Sequence, residues 1–217
     1  MNARTHGNDP GLRATGGRAI VVGAGIAGLC AARVLADHFA QVDLIERDQL
    51  TDAPVDRKLL PQGPFVHVLL AQGQSLLDAW FPGLQQEMDA LDAPRLDWPA
   101  DTAVFHHGAW MPRFTSNLHV RPSTRAALEL AVRRQVAKVP NVRLVPGTRA
   151  LGLHSVAGRV TGLRVQPHGQ EGQLAPETLL PADLVVDAMG RSSPAEKWLA
   201  DLGLPPPRVT DIRPATQ

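Results

Sequence analysis

The chain has a single cysteine, Cys30, so it cannot close a disulfide on itself. Between Leu29 and Ala31 in an apolar helical run, Cys30 reads as a small buried residue rather than a reactive thiol, and thiol chemistry of this kind fits a reducing, cytoplasmic setting. No stretch approaches the roughly 20 apolar residues of a membrane span, and "MNARTHGNDPGLRATGG" at the N-terminus lacks the apolar core of a secretion signal. Residues 1–17 are therefore expected to be a disordered lead-in, and no membrane partner is expected. An excess of charge is missing too: 22 Lys and Arg face 21 Asp and Glu, which leaves no net field to draw in nucleic acid. Ser75 lacks a Gly-x-Ser-x-Gly elbow, and no Ser, His, Asp order suggests a hydrolase. His106 and His107, adjacent on an expected strand, should point to opposite faces and share no metal, so no metal site is expected. Small-molecule chemistry is what these absences leave.

What is present is enough for one sizeable domain, since a chain of 217 residues buries about two-thirds of its unfolded surface or more. "RAIVVGAG" is a short continuous apolar run bounded by glycine, the pattern of a central parallel strand covered on both faces. Ile26, Leu29, Ala32, Arg33 and Ala36 then follow at helical spacing, and "QVDLIERD" is the next strand. Residues 51–64 are rich in Pro and charge and predict a surface loop. Leu69, Leu70, Leu76, Leu77 and Trp80 predict a helix that "FPG" at 81–83 ends. Residues 94–120 alternate in short pieces with Gly108 at a hairpin turn, which predicts inserted antiparallel strands, with Trp98 and Trp110 packed in a core. A helix follows Ser123, its expected cap, with Glu129 four residues ahead of Arg133. "NVRLVPGTRALGLHSVAGRVTGLRVQP" predicts a β-meander. "LVVDAM" is a further buried strand, and Ser193, Pro194 and Glu196 predict a capping box on a last helix. The expected fold is α/β, with a parallel central sheet, a β-meander and a small antiparallel insertion; the organised domain covers 18–203 and a tail 204–217.

Gly23, Gly25 and Gly28 stand at GxGxxG spacing between a strand and a helix. The first allows a tight turn, the second a close approach to a pyrophosphate, and the third close helix packing, with the helix N-terminus facing the phosphate charge. Glu46 ends the second strand 18 residues after Gly28, where a carboxylate accepts hydrogen bonds from ribose hydroxyls, and Arg47 follows it. A carboxylate there repels a 2′-phosphate, which disfavours NADP. Spacing alone does not separate FAD from NAD.

Later segments carry a resemblance that does. "DLVVDAMGRSSPAEKWL", "RKLLPQGPFVHVLLAQGQSLLDAWFPGL", "HVRPSTRAALELAVRR" and "VRLVPGTRALGL" together resemble FAD-dependent monooxygenases of the aromatic hydroxylase type and related flavin oxidoreductases, over roughly residues 18–210. The resemblance implies a Rossmann-like FAD-binding domain, with the glycine motif on the FAD adenosine and pyrophosphate and a second turn at Asp187, Ala188, Gly190 and Ser192 or Ser193 returning to it. Met189 stands where relatives usually have Thr or another small polar residue. By the same likeness Arg57, Lys58 and Gln62 lie near the flavin, Arg121 reaches the phosphates or ribityl chain, and Ala150 meets the adenine through its main chain. Without the resemblance, a solvated helix-end cation is the alternative for Arg121. For Arg33 a phosphate-side and a surface position are both open.

The resemblance also implies chemistry: NAD(P)H as a transient reductant, FAD as the redox cofactor, and a small apolar or aromatic substrate. The flavin does the redox work, so no catalytic residue is called for; His67 is read as structural or cofactor-adjacent. Family members continue into a Gly-Asp-Ala segment, and "GLPPPRVTDIRPATQ" has no counterpart of it. That sets a second expectation beside the first, a non-catalytic dinucleotide-binding module or remnant, with a partner chain completing the flavin site. An NAD-dependent dehydrogenase ranks last, because no substrate domain with a catalytic His or Lys is visible.

Overall fold

A computed structural model describes residues 16–55, 65–168 and 175–210. Its centre is a parallel sheet in the order β13-β1-β2-β9, formed by Leu184–Asp187, Gly16–Val22, Phe39–Ile45 and Val142–Val145. Helix α1, Ile26–Leu35, links β1 to β2 as a crossover. Alternation along the strands divides the core. Ala19, Val21, Val42 and Leu44 face α1 and the other helices, while Ile20, Val22 and Ile45 face the opposite side.

On the helical side lie α2, Ala71–Trp80, α3, Leu84–Ala90, and α5, Arg125–Val136, the last with Leu128, Ala131, Val132 and Val136 in the core. On the other side lies an antiparallel meander of β10, Thr148–Val156, β11, Arg159–Pro167, and β12, Thr178–Pro181, together with α6, Ala195–Asp201. Leu163, Val165 and Trp198 pack there on Ile20 and Val22. The expected α/β class, with its parallel sheet, meander and small antiparallel insertion, is the observed architecture.

Several local expectations need correction. The strand Val142–Val145 belongs to the parallel sheet, paired to β2 from Val42↔Val142 to Ile45↔Val145, and not to the meander. Its buried-strand composition is compatible with either sheet, and the crossover through α5 decides between them. β1 starts at Gly16, inside the stretch expected to be disordered, because the Gly17 and Arg18 N–H groups donate to the Asp183 carboxylate. The cap of α5 is Thr124, whose hydroxyl accepts from Ala127 N–H at 3.1 Å, rather than Ser123. Pro194, not Ser193, occupies the N-cap of α6; Ser193 sits one residue earlier and its Oγ accepts from Ala195 N–H. Helix α3 was not expected.

The insertion is built of two-residue pieces: β4 Leu96–Asp97 with β7 His119–Val120, and the hairpin β5 Phe105–His106 with β6 Ala109–Trp110. A single turn of helix, α4, covers Trp98–Asp101. Trp98 and Trp110 are 40% and 68% exposed, so neither is a core residue. His107 and Gly108 form the hairpin turn with φ of 51° and 80°, which takes His107 out of the strand alternation. Its ring consequently lies 3.9 Å from that of His106 instead of on the opposite face.

Cys30 packs against the helical core, and burial pushes its thiol up to about 11 although the Arg125 guanidinium pulls it back. We expect Cys30 in the native chain to react with a disulfide reagent at pH 8 about a hundredfold more slowly than in denaturant, because the thiolate is the nucleophile. Equal rates in the two states would show that the thiol is not shielded.

Candidate functional site

The ends of β1, β2 and β13 are laced together around the glycine turn. Gly23 N–H donates to Ile45 O and Ala188 N–H to Val22 O, both at 2.8 Å. Two of the glycines are demanded by this packing. Gly23 has φ 101°, and a Cβ there would lie 2.8 Å from Ala188 O; at Gly28 a Cβ would lie 1.8 Å from Gly23 O. Gly25 has extended torsions as the N-cap of α1, so its backbone conformation does not require glycine. What it contributes is a helix entrance with no side chain over it.

That entrance opens on a groove of about 570 Å³. One wall is Gly23, Gly25, Ile26 and Ala27; the floor is Glu46, Arg47 and Asp48 from the end of β2; and Thr148, Arg149 and Ala150 come from the start of β10. The far wall is the turn Ala188–Ser192 with Pro194, and Arg125 enters from the start of α5. Thr148 N–H donates to Glu46 O and Gly147 N–H to Asp48 O, which fixes the meander against the end of β2.

Glu46 is 7% exposed. Its Oε2 accepts from Ala24 N–H at 2.8 Å and its Oε1 from Asp48 N–H at 3.1 Å. The carboxylate thus braces the glycine turn onto β2 as well as lining the groove, a role its position in the sequence does not announce. Asp187 acts in a similar way on the far wall. It accepts from Met189 N–H at 2.9 Å and from the Ser193 hydroxyl, so it holds the turn that presents Met189, Gly190 and Arg191 without lining the groove itself.

Charge in the groove is unbalanced. Four arginines, Arg47, Arg125, Arg149 and Arg191, face two carboxylates, Glu46 and Asp48. Arg47 lies 3.8 Å from Asp48 and is half exposed. Among the groove arginines Arg125 is distinctive, because its Nε is buried and has no hydrogen-bond partner among the described residues, a state that outside the groove Arg121 Nε shares. A desolvated guanidinium N–H without an acceptor is costly, and an anionic group in the groove would remove that cost.

The structure brings together Gly23, Gly25, Gly28, Glu46, Arg47, Ala150 and Gly190 of the expected residues, in or directly behind this groove. It does not bring Arg121. That side chain is 8% exposed and donates to Gln85 O and Oε1 at 3.0 Å, to Ala93 O at 2.7 Å and to Asp89, clamping α3 to the segment that leads into α5. Arg125, four residues later and just past the Thr124 cap, takes the position expected of Arg121. The signal that could have found it is the cap, since a side chain in the first turn of α5 can face α1, whereas one four residues earlier lies in the link between the two short strands that precede the helix.

Arg33 donates to Trp80 O and pairs with Asp37, away from the groove. His67 pairs through β3, Val66–His67, with β8, Ser123–Thr124, and its Nδ1 bonds Phe65 O at 2.8 Å. Arg57, Lys58 and Gln62 lie outside the described residues. Among the described residues no three His, Cys, Asp or Glu side chains gather as metal ligands, and no helix is long and apolar enough to cross a membrane.

Strand, glycine turn, helix and a cationic groove at the carboxyl ends of parallel strands define a Rossmann-type domain of the FAD/NAD(P)-binding kind. A family model for an NAD(P)-binding Rossmann-like domain matches residues 21–51. Protein Rv3254 of Mycobacterium tuberculosis is 36% identical over an alignment 197 residues long that covers 85% of this chain and 40% of that protein. The FAD-dependent halogenase CndH, from the chondrochloren system of a myxobacterium, shares the fold with TM-score 0.57 and 20% identity, over 82% of this chain and 38% of the halogenase. The p-nitrophenol 4-monooxygenase PnpA of Pseudomonas putida shares it with TM-score 0.55 and 17% identity, over 84% of this chain and 44% of the enzyme. The chain spans about two-fifths of the length of each of these proteins.

Proposed function

We propose that the groove holds the ADP half of FAD and that the chain serves a flavin-dependent oxidoreductase of the monooxygenase type. The observation that carries this reading is the buried, unpartnered Nε of Arg125 beside the open entrance of α1, in a groove whose cations outnumber its carboxylates. In this reading the α1 entrance and Arg125 receive the pyrophosphate, Glu46 and Arg47 take the adenosine ribose, and the Arg149–Ala150 segment lies along the adenine. The turn held by Asp187 closes the other side.

FAD, when bound, supplies two-electron redox chemistry. The residues of the chain bind and orient it; none of them is asked to move a proton. The FAD-dependent halogenase that shares the fold supports a flavin as the cofactor. A small apolar or aromatic substrate, and NAD(P)H as a transient reductant, extend the same reading.

A second reading of the same groove is a dinucleotide-binding module that works with a partner chain supplying the rest of the flavin site. Titration calorimetry with adenosine, ADP, NAD and FAD tests the common core of both. ADP and FAD should bind comparably and at least tenfold more tightly than adenosine, the pyrophosphate making the difference. Equal affinity for adenosine and ADP would remove the proposed pyrophosphate site. The steady oxidation of NAD(P)H by the FAD-loaded chain alone then separates the enzyme from the partner-dependent module.

A further inference from the structure

The far wall of the groove is built as a mount. Asp187 ends β13, and the residues after it turn their polar groups onto β1 and onto the turn itself. Ala188 N–H donates to Val22 O at 2.8 Å, Met189 N–H to Asp187 Oδ1 at 2.9 Å, the Ser192 hydroxyl to Met189 O at 3.2 Å and Ser193 N–H to Gly190 O at 3.0 Å. The Ser193 hydroxyl donates to Asp187 and accepts from Ala195 N–H. Gly190, at φ 62°, lets the chain double back. Both ends of the turn are held: β13 pairs with β1 from Ala19↔Leu184 to Val22↔Asp187, and Trp198 of α6 is buried in the core. Arg191 also lines the groove, and its guanidinium makes no hydrogen bond or ion pair among the described residues.

Strand order says which part of a ligand this guanidinium meets. The sheet runs β13-β1-β2, so Glu46 at the end of β2 and the turn after β13 lie on opposite sides of the glycine turn, two strand spacings or about 10 Å apart. On the ADP reading of the groove, on which this inference rests, the ribose sits at Glu46 and the phosphates cross the α1 entrance away from it. The α-phosphate, bonded to the ribose, then lies over the entrance. The β-phosphate, furthest from Glu46, comes to the β13 turn. The remaining groove arginines belong to other parts of the ligand. Arg47 lies 3.8 Å from Asp48 at the end of β2, and Arg149 opens β10, which Thr148 N–H ties to Glu46 O. Arg125 enters from the start of α5, leaving Arg191 alone at the far end.

We propose that Arg191 binds the β-phosphate of the nucleotide and thereby makes the groove selective for adenosine diphosphates, free or within a dinucleotide, over the monophosphate. AMP ends at the α-phosphate and reaches only the α1 entrance and Arg125. ADP, and the pyrophosphate of a dinucleotide, span the groove from Arg125 to Arg191, so these ligands alone gain the second charge-assisted contact. None of the bonds that hold the turn passes through the guanidinium, so its removal leaves the mount intact.

Titration calorimetry with AMP and ADP on the wild type, Arg191→Met and Arg191→Lys tests this. The wild type should bind ADP at least about tenfold more tightly than AMP. Arg191→Met should lose about tenfold for ADP and less than about twofold for AMP, with an unchanged urea midpoint. Arg191→Lys, which keeps the charge without the planar fork, should recover part of the ADP loss. Phosphorus NMR of bound ADP should show the β resonance of the Arg191→Met complex moved toward its free position while the α resonance stays. An Arg191→Met protein that keeps its ADP affinity, or that loses AMP and ADP alike, would overturn the proposal and leave the ADP reading of the groove standing. Equal binding of adenosine, AMP and ADP by the wild type would overturn both.

Discussion

Replacing Gly28 with alanine should cost about 3 kcal/mol or more of stability and abolish nucleotide binding with it. The added methyl has nowhere to go: it would lie 1.8 Å from Gly23 O and 3.0 Å from Gly23 C, and both obstacles are backbone atoms of the turn that lines the groove. Relief requires α1 to move off the sheet, which opens the contacts of Leu29 and Ala32 in the helical core. Gly190→Ala is the contrasting substitution. Its φ is 62° but an added Cβ meets nothing within 4 Å, so the cost should be the torsional one alone, roughly 1–2 kcal/mol. Urea unfolding of the two variants measures the difference; a Gly28→Ala protein as stable as Gly190→Ala would show that α1 is free to give way.

Replacing Arg125 with methionine should weaken ADP binding by about 10- to 100-fold, the worth of a charge-assisted hydrogen bond in a partly buried site. Folding stability should hold or rise, since Nε has no acceptor among the described residues to lose. Arg121→Met should do the opposite. It orphans Ala93 O and the Gln85 acceptors and should cost roughly 2–3 kcal/mol of stability, with nucleotide affinity unchanged in whatever remains folded. Calorimetry and unfolding on both variants separate the two arginines. If Arg121→Met lost affinity and Arg125→Met did not, the assignment of the phosphate-side arginine would have to be reversed.

The two arginines also show where local reading stops. Both lie in "HVRPSTRAALEL", where an arginine at a helix start is recognisable by pattern. Which one enters the groove depends on where the helix begins, and that is decided by the Thr124 hydroxyl bonding Ala127 N–H. The short helix α3 escaped for a related reason: Leu84 and Met88 are buried, but seven residues carry too little periodicity to distinguish a helix from a loop. Trp98 and Trp110 were expected inside because large aromatics usually are, but both sit on the short pieces of the insertion, 40% and 68% exposed.

Sequence alone determined the unit from β1 through the glycine turn and α1 to β2, and with it the nucleotide-binding character of the chain. Each of its signals is local: a continuous apolar run, glycines at positions where backbone must approach backbone, and a carboxylate at the end of the next strand. Only the tertiary structure decided that Val142–Val145 joins the parallel sheet, that Glu46, expected on a ribose, also braces the glycine turn, that Arg125 and not Arg121 faces the groove, and that residues 103–115 are solvent-exposed. These depend on which surfaces meet after the chain has crossed the sheet, and residues with the same local pattern take different places according to that meeting.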